Sequence, residues 1–382
     1  MDARFTDEQI ALRDMMANFV RKEVPREKDR EYDRQAEFPY DLLAKMADVG
    51  LTGMFTPEEY GGIALSPVSI ALAIETLTYG SIAASAVVIP TSLVTQLLVH
   101  GGTDEQKATL LPGIAHGKVI ASFGLSEPHS GSDATSLKTR ATRDGDHWVI
   151  KGSKMWSSSA HVATHLFVAA RTDTTASRKG GISVFIIDPK TPGVSISLID
   201  TIGSKSTGTC QVFYDDVRIP ADCILGGEDG INQGWRFLSM SLSLERLELA
   251  SLSLGLGQRA LDDAIEFVNN REAFGQAVGK FQTIQHMVAD LATRLEAARA
   301  LTYRAAALME AGLPHAKEVM MAKVFASELV KEICISGMQM LGGYGYTRDF
   351  DMERYFRRAA LQTIGGGTTQ VLRNVLAKEI GM

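Results

Sequence analysis

Leu166-Phe-Val-Ala-Ala170 and Ile182-Ser-Val-Phe-Ile-Ile187 are short, unbroken apolar runs bounded by polar residues and glycines. Runs of this length read as buried strands, because a helix needs a longer pattern. His147-Trp-Val-Ile150 and Gln211-Val-Phe-Tyr214 belong to the same region, and Asp144-Gly145, Thr191-Pro-Gly193 and Gly226-Gly227 supply turns between them. The stretch from about Val119 to Ile231 is therefore expected to be all β. Working outward, the chain before it reads as helical. Thr6 is a plausible N-cap with Gln9 three residues on. Ile10, Leu12, Met15, Met16, Phe19 and Val20 then recur near helical spacing, and Gly50, Gly61-Gly62 and Gly101-Gly102 punctuate the remainder of this region. After Trp235 long helical patterns return, with few breakers until Gly312-Leu-Pro314. The expected fold is mainly α with a central β domain: an N-terminal α-helical domain (1–118), a middle β domain (119–231) and a C-terminal α-helical domain (232–382).

A chain of 382 residues with 45% hydrophobic and 22% charged residues can bury several sizeable cores. Its net charge of -6 argues against nucleic acid as a partner, since phosphate binding needs a basic surface. Cys210, Cys223 and Cys334 form no CxxC pair, and a reducing cytoplasmic setting is the simple expectation. No unbroken apolar run of membrane-spanning length occurs, so no membrane association is expected. The start, Met1-Asp-Ala-Arg-Phe-Thr-Asp-Glu-Gln9, is expected to carry no leader.

Several patterns invite chemistry. Gly255-Leu-Gly257-Gln-Arg-Ala260 matches the dinucleotide-binding GxGxxA, but it lies inside a helical stretch and follows no strand, so close helix packing explains it better. His161 and His165 have the spacing of a metal pair on a helix, yet no acidic or cysteine partner is near in sequence, and no metal is expected. HExxH, P-loop and GxSxG motifs are missing. Leu238, Leu242, Leu249, Leu252 and Leu256 form one seam of a helix whose remaining slot holds Glu245. A second stripe, Met240, Leu244, Leu247 and Leu254, makes that helix apolar over much of its circumference. A carboxylate there is costly unless paired or put to work. Either it pairs with Arg246, Arg236 or Arg259, or it is a buried base with a raised pKa. Gly365, Gly366 and Gly367 allow close backbone approach to a ligand or form a plain tight turn. The helix after them could aim its N-terminal amides at a polar group.

Five segments occur in a fixed order: Phe123-Gly-Leu-Ser-Glu-Pro-His-Ser-Gly-Ser-Asp133, Lys151-Gly-Ser-Lys-Met-Trp-Ser-Ser-Ser159, Arg271-Glu-Ala-Phe-Gly275, Gln339-Met-Leu-Gly-Gly-Tyr-Gly345 and Gly365-Gly-Gly-Thr-Thr-Gln370. Together they resemble the acyl-CoA dehydrogenase family of flavoenzymes, from Phe5 to about Ile380. The resemblance implies that family's fold, with a β-barrel-like middle domain and a C-terminal four-helix bundle, and FAD as cofactor. It implies α,β-dehydrogenation of an acyl-CoA thioester, with a carboxylate removing the α-proton and hydride leaving the β-carbon for flavin N5. By position, Phe123, Leu125, Ser126, Gly131 and Ser132 would line the flavin and thioester end, with Ser132 also touching substrate. Trp156 and Ser158 would lie against the flavin ring. Arg271, Phe274 and Gln282 would reach the FAD of a neighbouring subunit, Gln339, Gly342 and Gly343 would add backbone contacts, and Thr368 and Gln370 would hold FAD at the last helix.

The family's usual base sits in a Tyr-Glu-Gly-Thr segment, where this chain has Gly365-Gly-Gly-Thr368. Gly366 thus stands in place of the glutamate. Leu244-Glu245-Arg246 matches the alternative location found in the isovaleryl-CoA dehydrogenase-like subgroup, as do Arg271-Glu-Ala-Phe-Gly-Gln276 and Ile364-Gly-Gly-Gly-Thr368. Glu245 is therefore the expected base, and the amide of Gly366 the expected donor to the thioester carbonyl. A glutamate moved to position 366 is expected to face the same substrate carbon. Leu93, Thr95, Ser243, Arg246 and Gly365 would border the substrate, and the small residues at 365 and 366 fit a short, medium or branched acyl group, as in fatty acid or branched-chain amino acid catabolism. Ser243 replaces an aspartate common in relatives, which leaves the acyl carrier open between CoA and a carrier protein. Electron-transfer flavoprotein is the expected electron acceptor and a homo-oligomer, a homotetramer, the expected assembly. A reductase or oxidase on the same fold, and a non-catalytic subunit of a mixed complex, are the alternatives.

Overall fold

The computed structural model describes residues 5–382; Met1–Arg4, the first residues of the expected N-terminal domain and of the stretch expected to carry no leader, lie outside them. Helices α1 (Asp7–Glu23), α2 (Arg26–Gln35), α3 (Tyr40–Asp48), α4 (Pro67–Gly80), α5 (Ile82–Gly101) and α6 (Asp104–Ala115) come first. Strands β1 (Ala121–Gly124), β2 (Arg140–Asp144), β3 (His147–Ser158), β4 (His165–Arg171), β5 (Ile182–Ile187), β6 (Val194–Ile199) and β7 (Thr209–Pro220) come next. The chain ends with α7 (Gly234–Asn270), the small strands β8 (Glu272–Ala273) and β9 (Gln276–Ala277), α8 (Gln282–Glu310), α9 (Ala316–Leu341), α10 (Met352–Gln362) and α11 (Thr369–Glu379). The order α, β, α is the one expected. Thr6 opens α1 with the reciprocal cap: its hydroxyl accepts from Gln9 N, and Gln9 accepts from Thr6 N. Thr103 and Gln106 repeat the device at α6.

Two compact units emerge. One comprises Tyr32–Leu65 and Ala86–Leu242 and contains the seven-stranded sheet, ordered β1-β4-β2-β3-β7-β6 with β5 paired to β4. Its centre explains the two unbroken apolar runs. Leu166, Val168, Ala170, Phe185 and Ile187 face one core with Trp148, Ile150, Val212 and Tyr214. The alternate residues Phe167 and Val184 face a second core built from Leu93, Val94, Leu97 and Leu98 of α5 and Leu110, Leu111 and Ile114 of α6. Successive strand residues point to opposite faces, so a strand covered on both faces must be apolar at every position. α5 is long and apolar enough to cross a bilayer by length and composition, but here most of it is buried as a core helix.

The other unit comprises the chain up to Glu31, Ser66–Ser85 and Ser243–Met382. Its helices close up around Gly255 of α7. A Cβ on Gly255 would lie 2.2 Å from the carbonyl oxygen of Glu75 on α4, so close packing, as expected, explains the GxGxxA glycine. Buried charges are paired in depth. Glu75 accepts from Arg299 Nε and Tyr303 Oη, both at 2.8 Å. Arg30 grips Asp351 with two bonds of 2.8 and 2.9 Å, and Arg354 bridges Asp29 and Asp351. Bidentate arginine–carboxylate pairs of this kind are the ones whose geometry offsets desolvation. Replacing Gly255 by valine is expected to lower stability by about 1–3 kcal/mol through overpacking, read as a fall of a few degrees in the thermal unfolding midpoint.

Candidate active site

The β3–β7 pair slips register between Lys154 and Ser157. Such a bulge re-aims the side chains within it. Here it puts Trp156 in left-handed backbone, φ +65°, with 55% of the residue exposed. A bulky side chain at positive φ is strained, and strain of this kind gathers at ligand sites. Beneath it lies a charge pair that sequence reasoning missed. Lys154 is fully buried, and its Nζ donates to Glu127 Oε1 at 2.7 Å and to the Leu125 carbonyl at 3.0 Å. Glu127 also accepts from the amides of Lys138 (2.6 Å) and Thr139 (2.9 Å). Burial pushes the Lys154 ammonium down to about 8 against the pull of Glu127. Burial works to raise the Glu127 carboxyl, but Lys154 and the amides outweigh it and hold it below its ordinary value. Met155 N donates to Ser126 O at 2.8 Å, and Ser122 Oγ to Ser158 O at 2.7 Å. These bonds bring Phe123, Leu125, Ser126, Trp156 and Ser158 together, while Gly131 and Ser132 stand exposed further along the same loop. The available signal was a charge embedded in each of the first two segments.

In the other unit, β8 and β9 form a tight hairpin with Phe274 (φ +54°) and Gly275 (φ +78°) at its tip. Phe274 is 96% exposed and packs edge-on against Phe281, next to exposed Gln282 at the start of α8. The Arg271 guanidinium lies 5.6 Å from the ring centre of Tyr344. That contact ties the hairpin to the end of α9, where Gln339, Gly342 (φ +58°) and Gly343 are exposed. The third and fourth family segments, carrying Arg271, Phe274, Gln339, Gly342 and Gly343, thus converge near Gln282.

The remaining cluster lies in the same unit. Leu249, Leu252 and Leu256 of the α7 seam are buried, as are Leu244, Leu247 and Leu254 of the second stripe; Leu238, buried, and Met240, exposed, lie on the part of α7 that belongs to the other unit. Glu245 is half-buried among them and makes no hydrogen bond or ion pair with any described residue. The ion-pair alternative finds no support in Arg259, which pairs with Asp263 at 2.7 Å. Burial raises the Glu245 carboxyl pKa; Arg246 and Lys323 attract the carboxylate but do not outweigh it. Arg246 is half-buried, its Nε has no hydrogen-bond partner, and burial lowers its guanidinium pKa.

Gly366 (φ +65°) and Gly367 (φ +92°) are held in left-handed backbone after α10. Gly365 N donates to Leu361 O at 2.9 Å, but the amides of Gly366 and Gly367 have no acceptor among the described residues. Thr368 caps α11 by accepting from Val371 N, with Gln370 exposed in its first turn. A Cβ on Gly366 would meet Leu249 Cδ1 at 2.3 Å. Leu249 lies one helical turn beyond Glu245, so α7 and the glycine turn meet here. At 366 the left-handed backbone strains any side chain, and Leu249 Cδ1, the end of a flexible side chain, would have to move aside to admit one.

Of the other candidates, Leu93 belongs to the core and Thr95 donates its hydroxyl to Thr91 O at 2.9 Å. Ser243 and Gly365 are half-buried. His161 falls in a short turn and His165 begins β4, so the two never share a helix face; the His161 Nδ1 is 3.5 Å from Cys210 Sγ.

Comparison with known proteins agrees with this geometry. The acyl-CoA dehydrogenase N-terminal, middle and C-terminal domain models match residues 6–118, 122–217 and 232–381. Curated relatives include a probable acyl-CoA dehydrogenase, YngJ, of Bacillus subtilis, 37% identical with 100% of both chains covered. Mitochondrial isovaleryl-CoA dehydrogenase of Pongo abelii is 35% identical, covering 98% of this chain and 88% of that one. The caffeyl-CoA reductase–Etf complex subunit CarC of Acetobacterium woodii is 36% identical over 98% of each. Butyryl-CoA dehydrogenase from Megasphaera elsdenii superposes with a TM-score of 0.93 at 30% identity, covering 100% of both chains. The chain belongs to the acyl-CoA dehydrogenase family, FAD-dependent oxidoreductases acting on CH–CH bonds.

The two buried charges have opposite consequences for stability. Lys154→Met strands a buried carboxylate, which should cost about 3–5 kcal/mol and lower both the unfolding midpoint and the flavin content of the purified protein. Glu245 behaves in the opposite sense. Its folded pKa lies above the unfolded one, so the native state binds the extra proton, and stability is lost as pH rises from 4.5 through the folded pKa. Glu245→Gln should therefore unfold at a higher temperature than the parent at neutral pH, with the gap closing below pH 4.5; an equal or lower midpoint at neutral pH would contradict the burial argument.

Proposed function

We propose that this protein catalyses α,β-dehydrogenation of an acyl-CoA thioester with Glu245 as the base. The observation that carries the reading is a half-buried carboxylate with no ion-pair partner among the described residues, on a helix that also supplies Leu249 against a glycine turn whose Gly366 amide has no acceptor among them. The raised pKa brings Glu245 toward the range in which a base works near neutral pH. It takes the α-proton on its carboxylate. The unspent amide of Gly366 is suited to the thioester carbonyl, where a backbone donor stabilises enolate-like charge without needing a side chain.

FAD, when bound, would supply the acceptor for the β-hydride. On this chain Trp156 offers an exposed flat face for the ring system, with Phe123, Leu125, Ser126 and Ser158 gathered beside it and Gly131 and Ser132 further along the loop. Arg271, Phe274, Gln282, Gln339, Gly342 and Gly343 form a second, exposed group, and half-buried Thr368 with exposed Gln370 a third, suited to the remainder of the cofactor. A phenylalanine 96% exposed in strained backbone is a poor free surface; it supports a homo-oligomer, a tetramer, in which a neighbouring subunit covers the hairpin. The three-domain division at residues 118 and 231, a cytoplasmic setting and electron-transfer flavoprotein as acceptor belong to the same proposal. The Etf-complex relative supports the last.

The acyl group is short, medium or branched. The isovaleryl-CoA and butyryl-CoA relatives support this, as do the glycines at 365 and 366, with Leu93, Thr95, Ser243 and Arg246 as the other substrate-side residues. A second reading comes from the family resemblance, which implies an aspartate where this chain has Ser243; that difference fits a carrier-protein thioester or a reductase direction. Anaerobic titration of the flavin band with acyl-CoAs from short branched to long straight decides between them. Bleaching by the short branched class is expected, and bleaching by none favours the second reading. Glu245→Gln should keep the yellow flavin and lose about 10²–10⁴-fold in turnover; retained turnover would remove Glu245 from the base role.

A further inference from the structure

Lys323 of α9 is fully buried, yet none of the five family segments contains it. Its Nζ donates to the carbonyl oxygen of Gly367 at 2.7 Å. Its Cε lies 4.0 Å from where a Cβ of Gly366 would stand. The lysine therefore runs beneath the glycine turn. That turn needs an anchor, because three successive glycines have more conformational freedom than any other tripeptide. Upstream it is tied by Gly365 N to Leu361 O, and downstream by Thr369 N to Thr363 O. Between those ties, among the described residues, Lys323 makes the sole hydrogen bond from outside the turn. A buried ammonium is expensive to hold for one hydrogen bond, so its placement calls for a second role.

The charges around it supply one. Lys323 faces Glu245 and Arg246 from α7. On its own helix it faces Glu328, which is already gripped by Arg373 of α11 at 2.6 and 2.7 Å. Glu245 in turn faces two cations, Arg246 and Lys323. We propose that Lys323 is a positioning residue for the reaction: it anchors the Gly367 carbonyl at the downstream end of the turn that carries the Gly366 amide, its stem lies against Gly366, and it places a buried positive charge facing Glu245. This rests on the reading of Glu245 as base. Burial draws the Lys323 ammonium itself down to about 8 against the pull of Glu245, so the charge is present through the neutral range and fades above it.

The two contributions separate in a pair of variants of the holoenzyme. Lys323→Met removes hydrogen bond and charge; Lys323→Gln removes the charge but keeps an N–H donor, on a side chain one bond shorter. With an acyl-CoA that bleaches the parent flavin, kcat per bound FAD should fall about 10–100-fold in Lys323→Met, with a smaller change in KM, and recover partly in Lys323→Gln. In both, the acid limb of the kcat–pH profile should move to higher pH by about one pH unit, because an opposite charge has been taken from the base. Parent kcat and an unmoved acid limb in Lys323→Gln would overturn the assignment, as would a loss of thermal stability with unchanged kcat per flavin in either variant. Should Lys323→Met fail to fold, the polar Lys323→Gln alone decides, through its acid limb. Glu245→Gln run in parallel keeps the two readings apart. If it retains turnover, the base assignment fails, and Lys323 is then judged on the kcat difference between its Met and Gln variants.

Discussion

A carboxylate with no cation in contact sits on a helix lined with leucines, and the surrounding residues make sense as answers to that imbalance. Glu245 is attracted by Arg246 and Lys323 without touching either, and burial still raises its pKa. Folding alone would favour leucine at this slot, since the residues before and after it on the seam are apolar. A group kept against the preference of the fold points to use. The use fits the neighbouring turn, where two amides have no acceptor among the described residues and left-handed backbone disfavours a side chain.

Other buried charges show what a purely structural solution looks like. Asp29, Asp351 and Glu75 are each satisfied by arginine and by a second donor or partner. Glu127 accepts from an ammonium and two amides. These four carboxylates are surrounded by donors. Glu245 is the contrast. Even its nearest cations are compromised: Arg246 has an unpartnered Nε, and Lys323 has its hydrogen bond on Gly367 O. That leaves the carboxylate electrostatically supported but free to accept a proton.

Much of this was legible in the sequence. The two apolar runs announced strands, Thr6 and Gln9 announced a helix start, and the leucine seam drew attention to position 245, whose role as base came from the family resemblance and not from periodicity. These signals are local, and local rules read them. The features that stayed hidden depend on pairing across distance. Lys154 and Glu127 are ordinary polar letters until β3 is laid beside the segment after β1. Lys323 is one of several lysines on a helix, and only its depth distinguishes it. The bulge that turns Trp156 outward is a slip of register between β3 and β7, which no single strand encodes. The clash between position 366 and Leu249 joins residues far apart in sequence, so the glycines at 365 to 367 read equally well as a plain turn.

Placing the base on α7 and leaving the turn to backbone chemistry divides the work by rigidity. A helix of 37 residues holds a side chain more firmly than a loop does, and proton transfer is sensitive to small displacements. A turn of glycines, by contrast, lets a backbone amide approach a ligand closely because no Cβ stands in the way. The same freedom would let that amide wander. An anchor must therefore come from a rigid neighbour, must reach a carbonyl rather than the amide it serves, and must not fill the space the ligand needs. A lysine rising from α9 to the Gly367 carbonyl meets all three conditions. Its charge then reaches the helix that carries the carboxylate, so one buried ammonium can serve both the geometry of the oxyanion donor and the electrostatics of the base.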